Sequence, residues 1–108
     1  MDIRFLSIGK MKDDEKISKN ILSSGRRIYK EVSVDYITTK HIGFTSKDKL
    51  YNTKHSVIYF SEKKFPNSWN CDCHWHSIKK GFCKHILAVF IRLNKDENFL
   101  KKIKKTNL

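Results

Sequence analysis

The sequence predicts an α+β fold: a small antiparallel sheet of three to four strands, flanked by an N-terminal helix and covered by an apolar C-terminal helix. Three patterns carry that reading. Ile28, Val32, Val34 and Tyr36 fall on one side of an extended segment with Arg27, Glu31, Ser33 and Asp35 on the other. Val57, Ile58, Tyr59 and Phe60 are apolar on both faces, and Ile86, Val89, Phe90 and Leu93 recur at i, i+3, i+4 and i+7. The first is the period of a half-buried strand, the second suits a central strand, and the third lines one face of a helix.

In chain order, residues 3–8 are apolar enough for a short strand or the lead-in to a helix. Asp13, Asp14 and Glu15 supply the negative charge a helix N-terminus favours, Ile17, Ile21 and Leu22 follow at i, i+4 and i+5, and Gly25 reads as the stop. The strand from Ile28 is followed by residues 38–45, which contain Gly43 and Phe44 and turn back as a second strand. Residues 46–53 are polar and read as a loop, and residues 54–61 form the central strand. Pro66, with Asn67 and Ser68 beside it, marks a turn into the segment 69–73. The helix over 83–94 is widened by Leu87 and Ile91, so the sheet alone cannot cover it; the first helix or a partner chain docking on Leu87 and Ile91 must do the rest. Residues 95–108 set Lys101, Lys102, Lys104 and Lys105 around Phe99, Leu100 and Ile103 and read as a basic helix or tail beyond a single domain over 1–94.

A chain of 108 residues has room for one hydrophobic core. Apolar residues make up 39% and charged residues 31%, so that core is modest and calls for further support. Lys and Arg number 23 against 11 Asp and Glu, a formal net charge of +12, which makes polyanions the natural partners. Nucleic acid is favoured over membrane because no stretch approaches the roughly 18–20 apolar residues of a spanning helix, and no basic amphipathic helix with a broad apolar face stands out. The first twelve residues lack the apolar run and cleavage site of a signal peptide, so an intracellular protein is expected. Three cysteines cannot all pair within one chain, and in a reducing compartment Cys and His clustered together point to metal.

The stretch CDCHWHSIKKGFCKH, residues 71–85, carries the chemistry: C-x-C, a nine-residue connection, then C-x-H. Structural zinc takes four such donors in a tetrahedron. Residues i and i+2 of a strand project to the same side, so Cys71 and Cys73 can aim two sulfurs at one ion. On a helix i and i+2 diverge, so Cys83 must lie at the cap with His85 in the first turn, where the helix dipole favours a thiolate. Three thiolates and a neutral His around Zn2+ leave about −1, which Lys79, Lys80 and Lys84 are placed in sequence to offset. His74 and His76 read as surface residues of the connecting loop. A catalytic zinc keeps one position open, with a carboxylate nearby as base. Here four donors fill the shell, Asp72 faces away on strand geometry, and no phosphate-cradling loop or nucleophile-and-base pair is present, so no enzyme is expected.

At these residues the sequence resembles the SWIM zinc-finger family: C-x-C, a variable spacer, C-x-H, then an apolar helix. The resemblance implies Cys71, Cys73, Cys83 and His85 as zinc ligands and a C-terminal helix clipped by zinc to the strand before it. It spans roughly residues 28–93. Ala88 matches the small residue that recombination-linked members carry three positions after the ligating His. Phe82 stands where many members have Pro, which puts a different backbone turn before the helix. Family members occur inside transposases, chromatin-remodelling ATPases and ubiquitin ligases, and as small proteins that assist strand-exchange recombinases through their paralogues. The absence of room for a second catalytic domain favours the small accessory class, in DNA recombination or repair.

Two functional expectations follow. One is nucleic-acid binding, DNA before RNA, by Lys63, Lys64, Trp75, Lys79, Lys80 and Lys84, cations interleaved with aromatics; Phe65 and Trp69 lie among them, with Trp69 assigned to the core. The other is a protein-interaction module that docks a partner such as a recombinase paralogue on Leu87 and Ile91; the alternative to a recombination or repair factor is a pure interaction module or a small transcription regulator without a repair role.

Overall fold

The computed structural model describes residues 19–64, 67–79 and 82–106. The expected strand or helix at 3–8 and the acidic helix start at 13–15 lie outside them. The first described element, α1 (Lys19–Ile28), turns Ile21, Leu22, Gly25 and Ile28 inward and ends in Arg26 and Arg27, cations that suit a helix C-terminus. Gly25 is therefore no stop. It sits mid-helix because a Cβ there would come within 3.1 Å of Leu87 Cγ, and its bare backbone lets another helix come close. A 3-10 turn, Tyr29–Glu31, holds residues that the period-two pattern assigned to a strand.

Four strands follow in simple meander order: β1 (Val32–Ile37), β2 (His41–Asp48), β3 (Thr53–Phe60) and β4 (Trp69–Cys71), each antiparallel to the next. Thr38 closes the first turn, its Oγ1 accepting from the amides of Lys40 and His41 at 3.3 and 2.9 Å. Residues 46–48, expected in a loop, extend β2. The polar run there is real, but Ser46 and Asp48 point inward and are buried, a tertiary demand that hydropathy cannot reveal. The turn is confined to 49–52, where Asn52 takes the left-handed conformation (φ 53°) that Asn tolerates. Between β1 and β2 the register shifts from Val34 to Tyr36, a bulge at Asp35.

One face of the sheet meets the helices α2 (His74–Lys79), α3 (Lys84–Lys95) and α4 (Glu97–Thr106), together with α1. Aromatic rings meet at the centre of a largely aliphatic core. Trp69 packs edge-on against Phe90 of α3 at 4.7 Å and beside Phe44 of β2 at 6.2 Å, and Phe44 meets Phe99 of α4 at 6.3 Å. Phe99 and Ile103 are buried, so α4 belongs to the same core, and the expected boundary at residue 95 does not separate it. Asp96 makes the corner between α3 and α4. One oxygen caps the Phe99 amide at 3.1 Å and the other accepts from Arg92 Nε at 3.0 Å. Arg92 in turn donates to the carbonyls of Lys30 and Val32, binding α3 to the start of the sheet.

α1 covers the widened face of α3. Leu87 and Ile91, expected to be open to a partner, are 3% and 9% exposed and lie against Gly25 of the same chain, so that expectation is corrected. No helix among the described residues is long and apolar enough to cross a membrane.

Candidate metal centre

Strand pairing places the first two donors. The register Val57↔Cys71 ends β4 against β3 with the Cys71 side chain inward, and Cys73 follows two residues on, facing the same way. The chain then enters α2 at once: Cys73 Sγ accepts from the amide of His76, the geometry of a residue at a helix N-terminus. Residues 74–79 are thus helical rather than a loop. His76 is buried, 7% exposed, which corrects its expected place on the surface, whereas His74 is exposed. The second pair arrives on α3. Cys83 is its N-cap, with extended backbone (φ −79°, ψ 172°), and His85 lies in its first turn, the placement that i, i+2 spacing required. Phe82, where many SWIM members have Pro, packs against Phe90 at 5.4 Å and fixes the entry to the helix by packing.

These elements bring the donor atoms of Cys71, Cys73, Cys83 and His85 within 4.8 Å of one another, all four residues buried. His85 Nδ1 stands 3.7 Å from Cys71 Sγ. A tetrahedron with Zn–S near 2.3 Å and Zn–N near 2.0–2.1 Å has an S···N edge of about 3.6 Å, so this spacing fits zinc. No disulfide joins the thiols. Their electrostatics favour a cation as well. Cys83 is lowered to about 4 because Cys71 donates to its sulfur, with His85 and the Ile86 amide assisting against burial. Cys71 is pushed up by that same bond to Cys83 and by burial, and Cys73 is pushed up chiefly by burial. Crowded buried thiols cannot all ionise alone. A divalent ion would let them do so, supplying the charge that makes each sulfur a ligand. His85 Nε2 is buried with no hydrogen-bond partner among the described residues, a polar atom the protein leaves uncompensated.

Residues 65–94 match the family model of the SWIM zinc finger. No curated protein matches the chain, and no solved structure does. The SWIM motif thus covers β4, α2 and nearly all of α3, including every predicted metal ligand.

Around the SWIM finger the structure adds two features that sequence reasoning missed. His55 of β3 lies against His85, ring centroids 4.4 Å apart, with Nδ1 2.9 Å from Asp72 Oδ1. Asp72 is turned away from the metal ligands, as strand geometry required. The only sequence signal for His55 was its position two residues before Val57 on the inward side of a strand. The second feature is Asp48, whose side chain is fully buried. Arg27 donates to both its oxygens at 2.6 and 2.9 Å, and Lys84 Nζ donates at 2.8 Å. The Arg27 guanidinium foremost, and then Lys84, hold this carboxyl well below the usual range against the opposing effect of burial.

The predicted nucleic-acid residues lie on three segments: after β3, in and beyond α2, and at the start of α3. Lys84 is spent on Asp48 and the Tyr51 ring, so as a free phosphate contact it is corrected. Lys63 and Lys64 are exposed after β3, with Lys63 Nζ 4.5 Å over the Phe60 ring. The backbone of Trp75 and Lys79 lies in α2, and Lys80 and Phe65 are outside the described residues. Trp69 is core.

Proposed function

We propose that this chain is a zinc-stapled module that binds nucleic acid, DNA before RNA, as an accessory factor in recombination or repair. The observation that carries the reading is charge on a small, closed body: a formal +12 on 108 residues whose metal donors are buried and number four. A filled tetrahedral shell leaves no position for substrate water, which supports a structural rather than a catalytic metal. The excess cations then serve binding, with a phosphate backbone as the complementary surface. The recombination and repair context rests on the resemblance to small accessory SWIM proteins. A partner-docking role on α3 has lost its surface to α1, which favours nucleic acid over protein as the first ligand.

The test uses zinc-loaded protein freed of nucleic acid at high salt. Fluorescence anisotropy with labelled oligonucleotides should give an affinity that falls linearly on a log–log plot against salt, with a slope set by the number of phosphates neutralised. Absence of binding to any DNA or RNA at about 50 mM salt, a condition where such contacts are strong, would remove the proposal.

A further inference from the structure

The helices lie on one face of the sheet; among the described residues no helix covers the other. Across the middle of that outer face run Tyr36, Gly43, Ile58 and Asn70, register partners on four successive strands. Tyr36 is 43% exposed and lies over Gly43, where a Cβ would collide with its Cε1. The glycine thus seats an aromatic ring on bare backbone, fixing its place while leaving it open to solvent. One row to the side, His41 pairs with Phe60 edge-on at 4.9 Å, and the Lys63 ammonium stands over Phe60. Toward the hairpin, Lys47 and Lys54 are direct register partners and both are exposed. Like charges placed opposite each other on a sheet cost stability, a cost that a phosphate chain would relieve. The acids around this face are engaged: Asp35 by the Thr45 hydroxyl, Asp72 by the Ser56 amide and His55, and Glu62 by Lys40.

We infer that this open face is a platform for single-stranded nucleic acid, with Tyr36 stacking on an unpaired base and Lys47, Lys54 and Lys63 taking the flanking phosphates. The inference rests on the nucleic-acid reading above and adds to it the surface and the strand state. Every base has a face on which a ring can stack, but in a duplex those faces are already occupied, and a sheet surface of this kind has no protruding element for a groove. By analogy, other four-stranded antiparallel sheets with aromatics on an open face hold unpaired bases in this way.

The experiment titrates the zinc-loaded full chain with a labelled mixed-sequence 15-mer as single-stranded DNA, as single-stranded RNA, and as DNA duplex, each over a range of salt. Either single strand should bind more tightly than the duplex. Tyr36→Ala should weaken strand binding about tenfold or more, with duplex affinity and zinc content unchanged. Tyr36→Phe should stay within about twofold of wild type, because a ring remains to stack. If Tyr36→Ala melts early, Tyr36→Leu keeps Gly43 covered without a ring and should show the same loss. Lys47→Gln with Lys54→Gln should flatten the single-strand salt slope by about 1.4, at roughly 0.7 per phosphate contact. Preference for the duplex, or a folded Tyr36→Ala or Tyr36→Leu that binds strands like wild type, would overturn the platform and leave the broader reading standing. A wild-type chain that binds no nucleic acid removes both.

Discussion

Asp48 shows how one side chain can join three elements that sequence pattern treats separately. It sits at the end of β2, is reached by Arg27 from α1 and by Lys84 from α3, and also accepts the Leu50 amide at 3.1 Å. Removing the charge should cost about 2–3 kcal/mol: more than an exposed pair, yet below the 3–5 of a fully buried one, since Arg27 and Lys84 can turn to water. Asp48→Asn should lower Tm accordingly. The pH dependence has a defined sign. A carboxyl held below its unfolded pKa, near 3.9, contributes its full stability above that value and loses it as pH falls toward the folded pKa. The gap in stability between wild type and Asp48→Asn should therefore be widest near pH 6 and narrow below about pH 4; a gap that widened with acid would contradict the assignment. Cys83→Ser removes a ligand at the helix cap. Structural zinc is worth roughly 10–16 kcal/mol in small domains, against a typical folding stability of 5–15. The variant should then lose stoichiometric zinc by elemental analysis and its cooperative melt together.

At the level of elements, the contact between α1 and α3 is the one most sensitive to side-chain size. Gly25→Val would drive two methyls into Leu87 and should cost about 2 kcal/mol by overpacking, seen as a Tm lower by roughly 10 °C. Truncating Phe99 to Ala should cost about 3–4 kcal/mol, because the ring fills the core beside Phe44 rather than capping a loose tail. What was legible here depended on locality. The order of the strands, the apolar face of α3 and the cap position of Cys83 all follow from spacings within one element, and each was recoverable from sequence. Gly25 and Asp48 escape the sequence pattern because their roles are set by partners more than twenty residues away, Leu87 for the one and Arg27 and Lys84 for the other. The short helix α2 was read as a loop because its sequence, His74–Lys79, has no apolar repeat and is held instead by the Cys73 sulfur at its start.

For the molecule as a whole, the modest apolar fraction made outside support for the core a reasonable expectation, and the buried Cys and His cluster is where such support can enter. Chelation should accordingly melt the entire domain, with loss of tryptophan burial at Trp69 tracking zinc release; a chelated chain with an unchanged melting curve would show the core to be self-sufficient. The charge was plain in composition, but its distribution was not. Lys84 turns inward to Asp48, which only the packing of α3 on the sheet could show, and Lys47 meets Lys54 across the hairpin, which only strand register could show.

The metal donors span a short piece of chain, with Cys71 and His85 fourteen positions apart, whereas the contacts of Asp48 reach back 21 and forward 36. Short closures cost little chain entropy. The clasp therefore closes a shorter loop than either contact of Asp48, a difference of roughly 0.4–0.8 kcal/mol of closure entropy, and the same α3 start that carries two of its donors carries the Lys84 that reaches Asp48.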